Sequence, residues 1–172
     1  MPIRADIQKS APGKLVTLYT VHAREIGGDL YHFTSTVTSI DQQPDPELNH
    51  PVTFGGVTYY PMAIAGSDFE LTGKGSLPTP HLAMGTQLPG FFAAILGLDD
   101  LVGAKLTRTR TFVRYLDGQP TADASQKLLE DTFIISRMSS FNAVAIEWEM
   151  KASIALDTGK LPRRPMTRNW CG

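Results

Sequence analysis

The side chains best suited to catalysis or metal binding in this sequence are four histidines and one cysteine: His22, His32, His50, His81 and Cys171. None of the histidines has the spacing of a zinc motif, and no serine lies in a nucleophile elbow. His22 and His32 could meet across a predicted hairpin and hold a metal ion as a pair. Ordinary strand histidines are the favoured interpretation, so these side chains do not by themselves indicate an enzyme.

The segment around Lys74 has the composition of a phosphate-binding loop but not its pattern. That motif requires a glycine five residues before the Gly-Lys pair and a serine or threonine directly after the lysine. Asp68 and Gly75 occupy those two positions. We therefore interpret residues 73–76 as a turn that carries a solvated lysine.

Basic residues recur along the predicted strand 105–116, where Arg108, Arg110 and Arg114 are expected to share one face. One interpretation is a strand edge protected by charge. The other is a face that pairs with acidic groups of a neighbouring subunit, or lines a channel that DNA traverses. Subunit pairing is placed first, because 16 basic and 17 acidic residues balance to a net charge of −1. That balance does not favour general binding to nucleic acid or to an anionic membrane.

Length and composition predict one globular domain made in a cytoplasm. The chain has 172 residues, of which 42% are hydrophobic and 19% charged. No apolar run approaches the ~20 residues of a membrane span, and the start of the chain lacks the apolar region of a signal peptide. A single cysteine excludes an internal disulfide.

Alternation of apolar and polar residues predicts strands over most of the chain. Residues 15–22 are expected to be buried on both faces, and Gly55-Gly56 is expected to form a tight primed turn. Pro61 is expected to end the pairing of that hairpin, because it has no N–H to donate. The predicted strands are 15–22, 30–37, 52–54, 57–60, 68–72, 81–84, 105–116, 128–138 and 144–156.

The last of these strands has the clearest alternation in the sequence. Glutamate, lysine and serine at odd positions are expected to face solvent. The residues expected to face the core are Val144, Ile146, Trp148, Met150, Ile154 and Leu156.

Two helices complete the predicted fold. Ile3 and Ile7 are spaced one helical turn apart, which predicts a short helical arm over 3–10 that must dock to be stable. Apolar residues at 91, 92, 95, 98 and 101 form a helical stripe, which predicts a helix over 90–102. The expected fold class is mostly β (α+β): an antiparallel β-sandwich or partly open barrel with one flanking helix.

Three segments also carry a family resemblance: residues 66–75 (GSDFELTGKG) followed by a proline and an apolar strand; Leu101-Val102-Gly103 with the basic strand ending VRYLD; and Arg164-Pro165-Met166 with Cys171. In these segments the chain resembles the minor tail protein L family of lambda-like long-tailed phages. The resemblance implies a tail-tube-like fold with an N-terminal arm (1–12), a β-rich hub domain (13–158) and an extended C-terminal tail (159–172).

The resemblance also implies a structural role at the phage tail tip, within the virion, after synthesis in the host cytoplasm. It implies a homotrimer that acts as a hub or adaptor during tail assembly and host attachment. Its partners would be the distal tail protein ring (minor tail protein M-like), the central tip attachment protein (J-like) and the tape measure protein. No membrane is implied, and DNA only as it passes through the tail channel.

Cys171 is the position at which the resemblance implies a cofactor. In the family, four cysteines of a small C-terminal domain hold a four-iron, four-sulfur cluster, and Cys171 aligns with the first of them. One thiol cannot supply four ligands. We therefore expect Cys171 to be a ligand only in a longer form with a cysteine-rich domain. The alternatives are that this branch lacks the cluster, or that three symmetry-related Cys171 residues share one.

Interface residues are expected in the arm 1–12, the loop 41–51 and the tail 160–172. Two other classes remain as alternatives: a small tail-associated cell-wall hydrolase, and a carbohydrate-binding module that stacks sugars on Tyr59, Tyr60 and Trp170. The interface candidates are Arg108, Arg110, Arg114, Asp45, Glu47, Arg163 and Arg164.

Overall fold

The computed structural model describes residues 3–9, 13–35, 50–67, 69, 79–85, 89–142 and 144–152. These form a mostly β, α+β fold, as predicted. The helices are α1 (Ile3–Ile7) and α2 (Pro89–Gly97), and the strands are β1 (Leu15–His22), β2 (Leu30–Ser35), β3 (Val52–Phe54), β4 (Val57–Met62), β5 (Ile64–Ser67), β6 (His81–Gly85), β7 (Lys105–Phe112), β8 (Leu129–Phe141) and β9 (Ala145–Ala152).

The nine strands form one open sheet in the order β3-β4-β2-β1-β7-β8-β9-β6-β5. All neighbours run antiparallel except β2 and β4, which are parallel. The parallel pair was not predicted. It arises because the β3–β4 hairpin adds to β2 as a unit rather than extending the chain of hairpins.

The sheet curls because β4 and β5 are nearly continuous in sequence but lie toward opposite ends of the strand order. Only Ala63 separates them, yet β4 pairs with β2 and β5 pairs with β6. The hydroxyl of Ser35, at the end of β2, donates to the carbonyl oxygen of Ile64 at 3.0 Å. The sheet therefore wraps into a partly open barrel rather than two stacked sheets.

The main core fills the inner side of this barrel, and α2 packs against it. The ring of Phe91 in α2 lies 5.0 Å from Tyr31 and 4.7 Å from Phe33, measured between ring centroids. Trp148 of β9 is only 1% exposed. A second cluster on the outer side of β1 packs under the β3–β4 hairpin, so β1 is buried on both faces, as predicted; its members are Val16, Leu18, Val52, Phe54, Tyr59 and Leu116.

The inward face predicted for the last strand is confirmed for Ile146, Trp148 and Met150, which are all buried. The prediction is wrong for Val144, which is 78% exposed. Val144 precedes β9 and lies in a turn, where its N–H donates to the side-chain oxygen of Asn142 at 2.9 Å. Residues 154 and 156 lie outside the described part of the chain.

Several predicted boundaries differ from the structure. Pro61 does not end β4, because β3 is too short to reach it and Pro61 pairs with Thr34 of β2 instead. Strand β7 ends at Phe112 and continues as a 3₁₀ turn over Val113–Tyr115. Helix α2 ends at Gly97 and does not reach residue 102. The strand predicted over 68–72 lies outside the described residues, apart from Phe69.

The primed turn at Gly55-Gly56 is confirmed by φ values of 61° and 77°. The N–H of Gly56 also donates to the Asp117 carboxylate at 2.7 Å, so the turn is held from outside the hairpin. Replacing both glycines with valine should lower the free energy of unfolding by about 2–4 kcal/mol, because β-branched residues are strained at positive φ. Urea unfolding would measure the change.

The matched control for this prediction is Gly56→Asn. Asparagine adopts positive φ readily, and a Cβ at position 56 would meet no atom within 4 Å. This variant should unfold close to the wild type. Equal losses for valine and asparagine would show that the conformation of the turn is not what the glycines provide.

Candidate functional site

Arg108 is an internal residue of the fold, so the interpretation as a solvated strand edge does not hold for it. It is 8% exposed and lies on the inner side of β7, where its guanidinium bonds to the Asp131 carboxylate at 2.6 Å. The ring of Phe69 lies over the guanidinium, 4.1 Å from centroid to Cζ. The prediction of an exposed arginine is wrong here, because Asp131 on the neighbouring strand neutralises the charge inside the barrel.

Among the described residues, this part of β7 carries two arginines and has one carboxylate beside it. Arg110 lies on the same side of β7 as Arg108, two residues further along. Burial raises the pKa of the Tyr19 hydroxyl on β1, and the two guanidinium charges oppose that rise. Asp131 balances one of the two arginines, and the Nε of Arg108 has no hydrogen-bond partner in the described part of the chain.

Arg110 is half-exposed and forms no ion pair with any described residue. It lies between Thr17 of β1 and Leu129 of β8 in the sheet register. Leu129 is 43% exposed. Within the described part of the chain, Arg110 therefore presents a guanidinium without a counter-charge beside an apolar side chain.

Arg114 does not share the face of the other two arginines. It lies in the 3₁₀ turn after β7, where its guanidinium is 3.6 Å from the Asp6 carboxylate of α1. It also lies 5.3 Å from the ring centroid of Phe112 and 5.7 Å from that of Tyr115. The prediction of one common arginine face is wrong, because the strand ends before residue 114.

The helix predicted over 3–10 is confirmed over Ile3–Ile7 and docks on the body of the protein. Ile3 is 5% exposed and packs with Phe112 and Tyr115, and its N–H donates to the Gln126 side chain at 2.8 Å. Ile7, one turn later, is 51% exposed. The arm is thus held by one apolar residue and by the polar contacts of Asp6.

Asp6 is buried, and the Tyr115 hydroxyl donates to its carboxylate. The pKa of Asp6 lies below the ordinary value of 3.8, first because Lys9 donates a hydrogen bond to it and then because Tyr115 does. The positive charges of Arg114 and Lys9 lower the pKa further, and burial opposes the shift. A carboxylate whose folded pKa is depressed contributes stability above its unfolded pKa. That contribution is lost as pH falls through the folded value.

We therefore expect Asp6→Asn to destabilise the protein at pH 7, and the difference from wild type to shrink as pH falls below 3.8. Urea unfolding across a pH series would measure it. Tyr115→Phe, which removes one donor to the carboxylate, should weaken this pH dependence without abolishing it. A difference that stays constant with pH would contradict the assignment of the effect to the Asp6 charge.

His22 and His32, which could have met across the first hairpin to hold a metal ion, each bond to a threonine instead. His32 lies 3.2 Å from the Thr20 hydroxyl and His22 lies 3.4 Å from that of Thr107. Burial, and then the charge of His22, lower the pKa of His32. Within the described ranges, no group of three or more His, Cys, Asp or Glu could hold a metal ion.

The iron–sulfur cluster implied by the resemblance is a wrong prediction. The sequence contains one cysteine, whereas the cluster needs four thiolates. The described residues offer no metal-binding group, and the family description reported below indicates no cluster. Other candidates lie outside the described residues: Cys171, Asp45, Glu47, Arg163 and Arg164.

The stacking surface of the carbohydrate-binding alternative does not form on β4. Tyr59 is 8% exposed and packs under the hairpin, whereas Tyr60 is 52% exposed on the other face of the same strand. Trp170 lies outside the described residues. Neighbouring residues of a strand point to opposite faces, so these two rings cannot hold one ligand between them.

An acidic turn follows α2, and the sequence did not predict it. Asp99, Asp100 and Leu101 all have positive φ, at 48°, 59° and 61°. Leu101 is fully buried, and the indole N–H of Trp148 donates to the Asp100 carbonyl oxygen at 2.9 Å. The signal available was the Asp-Asp pair itself, because aspartate tolerates this conformation better than most residues. Their carboxylates make no hydrogen bond or ion pair with any described residue.

An exposed apolar patch lies near α2 and the β8–β9 turn. Phe141 is 49% exposed and stacks on Phe92 of α2, with ring centroids 5.7 Å apart. Leu96 is 60% exposed on the same helix. Contiguous exposed apolar residues are typical of interaction surfaces. Over the described part of the chain, no helix is both long and apolar enough to cross a bilayer.

Comparison with known proteins identifies a family and a related phage protein. The profile of the family described as phage minor tail protein L matches residues 24–172. Tail tip protein L of Escherichia phage lambda is 29% identical over 163 residues, which cover 91% of this chain and 66% of that protein. This chain is thus similar to that protein over most of its own length, while it spans just under two thirds of the length of that relative.

Proposed function

This chain belongs to the phage minor tail protein L family, and on that premise we propose that it is a structural hub of the phage tail tip. In this role it joins the distal tail ring to the central receptor-binding tip protein during tail assembly and host attachment. The observation that carries the proposal is the similarity to Tail tip protein L of Escherichia phage lambda across 91% of this chain.

The physical task of such a hub is to match unlike symmetries. A ring of distal tail subunits must connect to a central tip protein of lower symmetry, and three copies of an adaptor provide that connection. Closed symmetry repeats each interface in every copy. Two features support such interfaces: the apolar patch of Leu96 and Phe141, and the uncompensated charge of Arg110.

Localisation in tails tests the proposal directly. A phage whose copy of this gene is disrupted would be complemented with a tagged chain, and the tails examined by immunogold electron microscopy. We expect label only at the end of the tail distant from the head, and no complete tails without complementation. Label along the tube, or normal tails without the protein, would overturn the proposal.

Cross-linking mass spectrometry of the same tails tests the proposed partners. We expect cross-links to the distal tail ring and to the central tip protein. Lys160 is close in sequence to the candidates Arg163 and Arg164, so its cross-links report on that segment. Asp45 and Glu47 are examined with a cross-linker that couples carboxylates. Cross-links to tube subunits alone would contradict a hub at the tip.

A further inference from the structure

We infer that copies of this protein associate head to tail, with the Asp99-Asp100 turn of one copy bound to Arg110 of the next. The inference rests on the proposed function, because a hub present in several copies requires an interface between them. It names the residues that form this interface and its head-to-tail direction.

One side of the contact is Arg110 with its two neighbours in the sheet, Thr17 and Leu129. Its guanidinium lacks an ion-pair partner among the described residues, while Arg108 beside it is already matched by Asp131 at 2.6 Å. A guanidinium offers a planar fork of donors that fits a carboxylate with two parallel hydrogen bonds. Thr17 adds a hydroxyl, and Leu129, 43% exposed, adds an apolar surface. Together these favour an acidic protein side chain as the occupant.

DNA is a poorer occupant for the same position. Binding to a phosphate backbone accumulates many cationic contacts, whereas this end of β7 offers one uncompensated arginine. The chain as a whole carries a net charge of −1. The chemistry at Arg110 therefore suits a single carboxylate or a pair of them, not a polyanion.

The other side of the contact is the acidic turn after α2, whose carboxylates would accept hydrogen bonds from Arg110. Its backbone is fixed by the burial of Leu101 and by the indole hydrogen bond of Trp148 to Asp100. Asp99 is exposed and Asp100 half-exposed, and neither carboxylate bonds to a described residue. A rigid turn with two free carboxylates loses little conformational entropy when it binds.

The two sides of the contact lie at opposite ends of the same strand, so they cannot meet within one chain. The turn leads through Gly103 directly into Lys105, the first residue of β7, and Arg110 follows five residues later. At ~3.4 Å per residue, Lys105 and Arg110 are on the order of 17 Å apart, and the turn lies before Lys105. Complementary patches at opposite ends of one molecule make a heterologous contact, which closes into a ring when the rotation between copies permits.

Charge reversal tests the contact on the full chain. Arg110→Glu alone, and Asp99→Lys with Asp100→Lys, should each weaken self-association by at least about tenfold, since like charges then face each other. The triple variant, which exchanges the two signs, should recover to within about threefold of wild type. Sedimentation velocity over a concentration series would measure association, and thermal melting would confirm that each variant folds.

Lys151→Glu is the charge-reversal control, because Lys151 is exposed and lies on β9, which β8 separates from β7. It should leave self-association unchanged. Failure of the triple variant to recover would overturn the direct contact, as would wild-type protein that stays monomeric throughout. Incorporation of each variant into tails is scored separately. If Arg110→Glu blocks incorporation but not self-association, the partner of Arg110 is another tail protein; the inference then fails while the proposed function stands.

Discussion

Trp148→Ala is expected to lower the free energy of unfolding by about 3–5 kcal/mol, the usual range for removing a large buried aromatic side chain. Trp148 is 1% exposed at the centre of the main core. Its loss leaves a cavity and also removes the donor to the Asp100 carbonyl oxygen. Urea unfolding followed by far-UV circular dichroism would measure the change, because the variant removes one of the two tryptophans.

Trp148→Phe separates the two contributions. Phenylalanine keeps most of the buried ring but has no N–H, so the Asp100 carbonyl oxygen loses its partner. We expect a smaller loss of about 1–3 kcal/mol, with hydrogen exchange at residues 99–103 accelerated more than in the rest of the core. A loss below 1 kcal/mol for the alanine variant would mean that β9 does not face the core as described.

Asp131→Leu is expected to destabilise the protein by about 3 kcal/mol, because it leaves the Arg108 guanidinium buried without a counter-charge. Arg108 and Asp131 have side-chain exposures of 9% and 26%. Arg108→Met should cost less, since the remaining Asp131 carboxylate is the more exposed of the two. Guanidinium chloride would screen charges, so urea unfolding is the appropriate measurement.

The double variant Arg108→Met with Asp131→Leu completes the cycle. Apolar residues of similar volume should bring stability back to within about 1 kcal/mol of wild type. The exposed pair of Arg137 and Glu149 is the control, at 2.6 Å with Arg137 70% exposed. Breaking that pair should cost about 0–1 kcal/mol. Equal losses for the two pairs would show that burial does not set the value of the Arg108 contact.

The acidic turn connects the expected effect of the Trp148 variants to function. Trp148 and Leu101 hold Asp99 and Asp100 in a conformation that most residues avoid. A variant that frees the turn without unfolding the barrel, such as Trp148→Phe, should therefore weaken head-to-tail association as well as stability. The two charge-reversal variants act on the carboxylates and on Arg110 instead, and leave the core intact.

Several features were determined by the sequence alone. The hairpin around Gly55-Gly56 was predicted correctly because positive φ at two successive residues is a local demand that glycine meets. The inward face of β9 was predicted because alternation of apolar residues with a period of two reports which side meets the core. The family was predicted because short motifs at 66–75 and 101–117 are read directly from residue identity.

Only the tertiary structure decided the rest, because it depends on residues far apart in the chain. Arg108 looked solvated until Asp131, 23 positions later, was placed beside it. Arg114 does not lie on the predicted face, because the 3₁₀ turn after β7 brings it close to Asp6. Asp6 also bonds to Tyr115, which is 109 positions later in the sequence. The sequence shows which residues carry charge. Whether a charge is neutralised inside the fold or exposed to a partner depends on strand pairing and burial, and both depend on residues far apart in the chain.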